Sequence, residues 1–500
     1  MKKKKELIII LGSLLVVVLS VSLAYFTTTI NSKNSNVSTS SAELKIVFTS
    51  GTGTIAGSEI EPGWSSGVNT FTVKNQSNGT YKYNIVIKDL INTFVTTGYL
   101  QYKITSTDGG YNMSDFKDVP KSTSATDKVL AYSVEIAKGA THTYSVEFRY
   151  LNSTTVNQNE DMGKKLSGTL FIEEGTTEPI PFYNKLLADN PTIQTRSSFS
   201  AVFTTTNTGT LYKATESIAN STPKDVYYFA GDAKNNWVKF AGFYWRIIRT
   251  NHDGSIRLLY SGTSHNTTEG HIGRSDFNSS YNGSMYVGYM YGTSGSQASN
   301  RTNTNNSTIK TYIDNWYSTN LSSYTKYIST EAVYCNDREV GSGSYSATGS
   351  AFYYAAYTRL YTNKTPTYNC TNIKDAFSGS NSEAKLIYPI GLMTADEITY
   401  AGGKALTDLP SPYAWYYLNS TGGSITGSTY WWLLSPYDWD GDIAYSWFVR
   451  GSDRPGFLSN NFVYFSGGAR PTISLKTCAL WTSGNGAPET PYEVSTTSGC

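Results

Sequence analysis

The run of residues best suited to bind a metal ion is Asp438-Trp439-Asp440-Gly441-Asp442, which places three carboxylates close together. Calcium takes several oxygen ligands from a flexible loop, so Asp438, Asp440 and Asp442 could hold it. The run does not match an EF-hand, because its glycine is misplaced and the terminal glutamate is missing. The alternative is a plain Asp-Gly turn. We therefore expect no required cofactor and leave calcium open.

Large aromatic and basic side chains surround this acidic run in the sequence. Trp, Tyr and Arg are the residue types that most often anchor protein and glycan recognition. The predicted ligand-binding residues are Trp439, Trp447, Arg450, Asp453 and Arg454. Trp431 and Trp432 lie in an apolar run and are expected in the core.

No group of residues predicts a catalytic site. The segment from Gly63 to Gly67 matches G-x-S-x-G, but a nucleophilic Ser65 requires a strand, turn and helix within an α/β sheet, and that pattern is missing. Asp396 and Glu397 follow Thr394 and are expected to cap a helix start. We expect no catalytic residue and no enzyme activity.

All four cysteines lie in the second half of the chain, at Cys335, Cys370, Cys478 and Cys500. Three pairings are possible. Cys335 with Cys370 and Cys478 with Cys500 are favoured, because each pair closes a polar loop that would otherwise cost much entropy to order. Zinc is not expected, because no closely spaced Cys or His pairs occur. An even cysteine count predicts an oxidising, extracellular environment.

The amino-acid composition limits the kinds of partner that the protein can bind. Charged residues make up only 16% of the chain and the formal net charge is +2, so no basic field is available for a nucleic acid. Tyrosine is frequent, with 40 residues, and Ser, Thr, Asn and Gly are abundant. This composition is typical of exposed β-structure and of adaptable polar binding surfaces.

The N-terminus predicts export. Lys2 to Lys5 precede an apolar run from Leu7 to Phe26, which is long enough for a signal peptide or for a membrane anchor. Small residues at Ser22 and Ala24 favour cleavage by a signal peptidase between Ala24 and Tyr25. Cleavage would release the protein, whereas an uncut segment would hold it at the membrane.

Hydrophobic periodicity predicts a mainly β chain with some α-helix. Residues 1–26 form the signal peptide or anchor and 27–41 a flexible segment. Two-residue alternation, as in Tyr144-Val146-Phe148-Tyr150, predicts an antiparallel β-sandwich over residues 42–175. A proline-rich linker follows at 176–195. An α+β domain with two disulfides is expected at 196–500, with a hairpin turn at Asp253-Gly254 and a helix capped by Ser307.

The first half resembles the camelysin and TasA family of bacterial surface and biofilm-fibre proteins. The resemblance rests on the export segment ending in Ala24-Tyr25-Phe26, on Glu61-Pro62-Gly63 and on Phe71-Thr-Val-Lys-Asn75. It implies a jelly-roll-like sandwich, release by a signal peptidase and self-assembly through the freed N-terminal segment.

The second half resembles a family of bacterial domains of unknown function (DUF6273). The resemblance rests on Thr394-Ala-Asp-Glu397, Trp431-Trp-Leu-Leu-Ser-Pro436 and Gly468-Ala-Arg-Pro-Thr-Ile-Ser-Leu475. It implies a C-type-lectin-like fold. Formylglycine-generating enzymes share that fold, but they use a close reactive cysteine pair or copper-binding thiols, which the cysteine spacing here does not match.

Three functions follow from these observations. The first is a cell-surface adhesin or ligand-binding protein that presents a lectin-like domain to an extracellular glycan or protein on a β-sandwich stalk. The second is a structural fibre or matrix component that assembles through the sandwich. The third is an oxidase related to formylglycine-generating enzymes, which the sequence disfavours.

Overall fold

A computed structural model describes the backbone of residues 27–32, 35–38 and 45–50, and then residues 60–76, 79–267, 270–409, 430–451, 454 and 456–500 in full. The export segment, including Ala24 and Tyr25, lies outside these residues. Contacts divide the chain into two compact units, Met1–Glu178 and Pro179–Cys500. Both units are mainly β, as the sequence predicts.

The first unit consists almost entirely of strands. They are β1 (Thr27–Ser32), β2 (Ser35–Ser38), β3 (Lys45–Ser50), β4 (Asn69–Asn75), β5 (Tyr81–Asn92), β6 (Leu100–Ser106), β7 (Lys117–Asp118), β8 (Ser122–Ile136), β9 (Thr141–Tyr150) and β10 (Lys165–Glu174). A short 3-10 turn at Asn159–Asp161 precedes β10.

Two sheets enclose one hydrophobic core in the first unit. One sheet has the order β1-β10-β5-β8 and the other β2-β3-β4-β9-β6-β7. Ile85 and Leu170 from the first sheet share a buried cluster with Phe71 and Phe148 from the second, which is a sandwich-like layout. The predicted alternation is confirmed in β9, where Tyr144, Val146, Phe148 and Tyr150 are buried.

The start of the chain differs from the sequence prediction. Residues 27–41, expected to be flexible, contain the strands β1 and β2. Strand β1 pairs in parallel with β10, whereas the other strand pairs of both sheets are antiparallel. Pairing of β1 covers the edge of β10, because β10 contacts β5 on its opposite side.

The described part of the second unit combines many short strands with five α-helices. The helices are α1 (Phe182–Asp189), α2 (Gln297–Asn300), α3 (Thr308–Asn320), α4 (Ala355–Tyr357), which continues as a π-helical turn at Thr358–Asn363, and α5 (Ala395–Ala401). Single 3-10 turns lie at Ser284–Val287, Ser322–Tyr327, Ile373–Asp375 and Ser382–Ala384.

The strands of the second unit are β11 (Ile180–Pro181), β12 (Thr192–Gln194), β13 (Thr206–Asn207), β14 (Thr210–Glu216), β15 (Lys224–Tyr228), β16 (Asp232–Ala233), β17 (Trp237–Phe240), β18 (Phe243–Thr250), β19 (Ile256–Tyr260), β20 (Arg274–Ser275), β21 (Met290–Tyr291), β22 (Asn305–Asn306), β23 (Tyr334–Cys335), β24 (Val340–Ser342), β25 (Phe352–Tyr354), β26 (Ala376–Phe377), β27 (Gly391–Leu392), β28 (Trp431–Trp439), β29 (Ala444–Val449), β30 (Leu458–Phe462), β31 (Gly467–Gly468), β32 (Pro471–Leu475), β33 (Leu480–Ser483) and β34 (Tyr492–Val494).

Two larger sheets organise this unit. The first follows the order β11-β33-β34-β17-β18-β15-β14-β12, with β19, β32 and β27 added through β18. The second contains β20-β31-β28-β25-β24, with β29 and β30 continuing from β28. A single core cluster joins them, and it includes Trp245, Trp431 and Trp432, so the expected burial of Trp431 and Trp432 is confirmed.

Most of the predicted linker at 176–195 is folded onto the second unit. Strand β11 pairs with β33, and β12 pairs with β14. Between them, Phe182 and Leu186 of helix α1 are buried in the core. The prolines that indicated a linker instead mark the start of a helix, because Pro181 fixes the turn before Phe182.

The predicted hairpin turn and helix caps are confirmed. Strands β18 and β19 form the predicted hairpin, and Gly254 adopts a φ of 78° in its turn. The Ser307 side chain accepts a hydrogen bond from the Lys310 N–H at the start of helix α3. Thr394 and Glu397 form a complete capping box at the start of helix α5.

Both favoured disulfides are present, Cys335 with Cys370 and Cys478 with Cys500. They indicate an oxidising, extracellular environment. Among the residues described, no helix is long and apolar enough to cross a membrane.

Candidate ligand-binding surface

The acidic run forms the turn between β28 and β29. Asp440 Oδ1 accepts hydrogen bonds from the N–H groups of Asp442 and Ile443, at 2.8 and 2.7 Å. Its Oδ2 accepts a hydrogen bond from the Tyr445 hydroxyl at 3.0 Å. Both oxygens of Asp440 therefore stabilise the turn itself, as in other turns that begin with Asp.

This geometry does not assemble the predicted calcium ligands. Asp440 is occupied by its own loop, and within the fully described ranges no group of three His, Cys, Asp or Glu side chains could hold a metal ion. Calcium binding by Asp438, Asp440 and Asp442 therefore stays a prediction without support from the geometry.

The two tryptophans predicted to contact a ligand are not on the surface. Trp439 and Trp447 are 1% and 0% exposed, and both belong to the core of the second unit. Their expected place in a recognition surface is wrong, because both side chains pack from strands β28 and β29 into the core. Asp453 lies outside the described residues.

The two arginines lie at the far end of strand β29 from the acidic turn. The strand separates them by roughly 17 Å, at about 3.3 Å per residue. Arg454 donates two hydrogen bonds to Asp408, at 2.8 and 2.7 Å, and stacks on Phe457. Arg450 is half-buried beside this pair. The structure therefore does not bring the arginines and the acidic turn into one site.

A different surface carries most of the exposed aromatic side chains in the described part of this unit. Together with half-buried rings they form a row, which we call the aromatic strip, along helix α4 and its π-helical extension and then across strands β25, β28, β29 and β30. Its members are Tyr361, Tyr357, Tyr353, Tyr445, Phe462, Tyr464 and Tyr281, with Asp438 at the centre.

Strand register places the central members side by side. Asp438 lies opposite Tyr353 on one neighbouring strand and opposite Tyr445 on the other. Tyr445 in turn lies opposite Phe462. Directly opposed residues of antiparallel strands point to the same face. The row crosses four strands, and at a spacing of about 4.8 Å between neighbours it is roughly 15 Å long.

Helical spacing extends the strip beyond the sheet. Tyr353, Tyr357 and Tyr361 are four residues apart, so their rings stack in sequence, with centroids separated by 4.0 and 5.2 Å. The buried Tyr437 ring makes edge-to-face contacts with both Tyr353 and Tyr357 and supports the stack from the core side. Tyr353 and Tyr361 remain 36% and 42% exposed.

The rings at the opposite end of the strip are also exposed to solvent. Phe462 stacks on Tyr464 at 5.4 Å, and Tyr464 contacts Tyr281 at 4.6 Å. Tyr464 and Tyr281 are 38% and 42% exposed. Scattered surface aromatics are ordinary, but a contiguous band of exposed rings is typical of a binding surface.

The Asp438 carboxylate is the charged group within the strip. Burial raises its pKa to about 7, and the neighbouring Asp440 carboxylate adds to the increase. Its Oδ1 atom is buried and has no hydrogen-bond partner in the described structure. The carboxylate also contributes to the raised pKa values of the hydroxyls of Tyr357, Tyr437 and Tyr445, after burial itself.

A second charged cluster lies in the interior, and we call it the buried ionic centre. Glu397 Oε1 accepts hydrogen bonds from Arg249 Nε and Arg257 Nη1, each at 2.9 Å. Arg249 Nη2 also donates to Glu216 at 2.9 Å. Burial alone would raise the pKa of Glu216, but Arg249 and His252 lower it to about 2.

An adjoining arm of the same centre contains Arg359, which sits in the π-helical turn. Arg359 donates two hydrogen bonds to Asp396, both at 2.8 Å, and a third to Asp337 at 2.9 Å. The pKa of the guanidinium is raised by these carboxylates against the effect of burial. Asp396 is therefore an ion-pair partner, whereas the sequence suggested only a helix-capping role.

The buried ionic centre has no room for a substrate. The cavity among these side chains measures about 20 Å³, which is enough for one water molecule. Its carboxylates are paired with arginines, so the arrangement is that of a structural network. It ties helix α5 to strands β14, β18 and β19.

Sequence reasoning missed both features for different reasons. The spacing of Tyr353, Tyr357 and Tyr361 was visible and predicts a stack on any helix, but the short helical segment carried no other signal. The buried ionic centre joins Glu397 to Arg249 and Arg257, which lie more than a hundred residues earlier, and no local pattern predicts such a pairing.

Comparison of the chain with protein-family models, with curated proteins and with solved structures finds no match. The resemblances to the camelysin and TasA family and to the lectin-like family therefore stay predictions.

Proposed function

We propose that the protein is an exported, cell-surface or extracellular, non-enzymatic binding protein whose second unit recognises a glycan through the aromatic strip. The observation that carries this proposal is the row of exposed and half-buried rings from Tyr361 to Tyr281, which forms two groups on either side of Asp438. Tyrosine presents a flat apolar face for the C–H face of a sugar ring and a hydroxyl for its polar edge.

The form of the strip favours a glycan chain over a folded protein. It is long and narrow, and polar groups lie between and beside the rings, namely Asp438 and the half-buried Asn460. A protein interface instead centres on a compact buried cluster with a polar rim. The two disulfides and the predicted export segment support a location of this surface outside the cell.

The test is a glycan array probed with the full exported chain, followed by calorimetry on the best ligand. Tyr353→Ala and Tyr357→Ala should each weaken binding at least tenfold, which corresponds to about 1.4 kcal/mol. Tyr227→Ala is the matched control, because this half-buried tyrosine lies on β15 of the other large sheet. Absence of glycan binding with or without calcium, or unchanged affinity in both strip variants, would overturn the proposal.

A second candidate function is assembly into fibres or matrix. The observation that favours it is the parallel pairing of β1 with the edge of β10, because an edge strand can accept a strand from a neighbouring molecule instead. Electron microscopy of protein that begins near Tyr25 should then reveal fibres, and deletion of residues 25–41 should abolish them. Monomers in both preparations would exclude this function.

A further inference from the structure

The carboxylate of Asp438 differs from the other weakly exposed carboxylates of the second unit. Asp375 pairs with Arg301 and Arg338, and Asp396 pairs with Arg359. Asp438 has no such partner, since none of the described lysines, arginines or histidines forms an ion pair or hydrogen bond with it. The charged group that acts on it is a second carboxylate, that of Asp440.

An uncompensated carboxylate in partly buried surroundings is costly unless a cation pairs with it. Among the described residues, the titratable groups that interact electrostatically with Asp438 are the Asp440 carboxylate and the hydroxyls of Tyr357, Tyr437 and Tyr445. None of them is positively charged. The site is therefore preorganised for a cation that comes from outside.

The surroundings favour an organic ammonium over a metal ion. A hard metal ion needs several oxygens, but both oxygens of Asp440 are held by the turn and by Tyr445. Aromatic faces attract ammonium groups and tolerate their attached carbons. Such faces adjoin the carboxylate, because Tyr353 lies opposite Asp438 in the sheet and stacks on Tyr357.

We propose that the glycan bound by the aromatic strip carries free amino groups, and that the ammonium of one amino sugar pairs with Asp438 beside the rings of Tyr353 and Tyr357. This inference rests on the proposed glycan-binding function and specifies its ligand class. A sugar ring stacked on the strip would place a ring substituent over the central carboxylate, where an ammonium gains both an ion pair and aromatic contact. An acetamido or hydroxyl group is neutral and cannot form the ion pair.

The experiment compares the tetrasaccharide of glucosamine with that of N-acetylglucosamine by calorimetry on the full exported chain at pH 6.5. The amino form should bind at least tenfold more tightly. Asp438→Asn should abolish this preference. Asp442→Asn should keep it, because Asp442 is an exposed carboxylate on the same turn and serves as the matched control.

A second arm uses tetramethylammonium, whose charge does not depend on pH. Its affinity, measured by NMR titration, should be at least fivefold higher at pH 8 than at pH 5.5 in the native protein and independent of pH in Asp438→Asn. Equal binding of the two tetrasaccharides, or a preference that survives Asp438→Asn, would overturn this inference. If Tyr353→Ala then removes binding of both tetrasaccharides, glycan recognition stands and only the amino-sugar assignment fails. If no glycan binds at all, the proposed function fails as well.

Discussion

Removal of Glu397 should destabilise the second unit strongly. The side chain is 1% exposed, and one of its oxygens accepts hydrogen bonds from both Arg249 and Arg257. The other oxygen accepts from the Thr394 N–H at 2.9 Å and closes the capping box. In Glu397→Ala, Arg249 keeps its partner Glu216, whereas Arg257 keeps the Val333 carbonyl and the ring of Tyr334, neither of which carries a negative charge.

The magnitude follows from these contacts. Removing one partner of a buried ion pair costs about 3–5 kcal/mol, since a charge is left without compensation. Loss of the reciprocal cap adds roughly 1 kcal/mol. The free energy of unfolding of the second unit should therefore fall by about 4–6 kcal/mol.

Guanidinium denaturation followed by tryptophan fluorescence measures this change. All tryptophans except Trp64 lie after residue 178, so the signal reports mainly the second unit. Glu397→Gln preserves the shape and a hydrogen-bond acceptor, and should recover part of the loss. Asp408→Ala removes an exposed ion pair with Arg454 and should change stability by less than about 1 kcal/mol. If Glu397→Ala lies within about 1 kcal/mol of the native protein at unchanged m-value, the assignment of Glu397 as the centre of the network is wrong.

Four further predictions concern pH, covalent links and the first unit. The pKa of Glu216 is about 2, below the ordinary 4.5, so the stabilisation that its carboxylate gives is complete above pH 4.5 and is lost as pH falls towards 2. At 1.36 kcal/mol per pKa unit, the stabilisation amounts to about 3 kcal/mol. The fall in the free energy of unfolding at acid pH should therefore be smaller in Glu216→Gln. The pKa of Asp438 is raised from 3.8 to about 7, so ionisation of this carboxyl destabilises the fold as pH rises through that interval. The native protein should lose up to about 4 kcal/mol of its free energy of unfolding over this interval, and Asp438→Asn should not show this loss. An identical dependence of stability on pH in both proteins would contradict the prediction. Replacing Cys335 and Cys370 together by serine should lower the free energy of unfolding by about 4 kcal/mol, because the bridge spans 35 residues, and a change below 1 kcal/mol would mean that the loop is ordered without it. Asp161→Ala should destabilise the first unit by about 2–4 kcal/mol in urea denaturation, because its buried carboxylate accepts two backbone N–H bonds and the Tyr150 hydroxyl, and Glu160→Ala at the exposed neighbouring position should have little effect.

Features encoded by neighbouring residues could be predicted from the sequence. Asp253-Gly254 gives the β18–β19 turn, because glycine accepts the positive φ that a tight hairpin requires. Thr394 and Glu397 give the start of helix α5, because two side chains three residues apart satisfy each other's backbone. The disulfide pairs followed from the cysteine positions and the loops between them.

Features that depend on distant packing could not be predicted. Trp439 and Trp447 have the residue type of a binding anchor, but burial against strands far away in sequence decides their role. Glu397 was correctly predicted as a cap, yet its second role depends on Arg249 and Arg257. The acidic run offered three carboxylates, and only the fold reveals that Asp440 is used by the turn while Asp438 faces the strip.

The attachment of helix α1 has a mechanical consequence for the second unit. The first residues of the second unit, Ile180–Pro181, are paired with β33, and the N–H of Phe182 donates to the Ala479 carbonyl. Cys478 beside that carbonyl is bonded to Cys500 near the other end of the unit. Tension that enters at residue 179 is therefore carried into a covalently closed loop. Pulling should peel away β11 and helix α1 first, and the fold that supports the aromatic strip should resist to higher force.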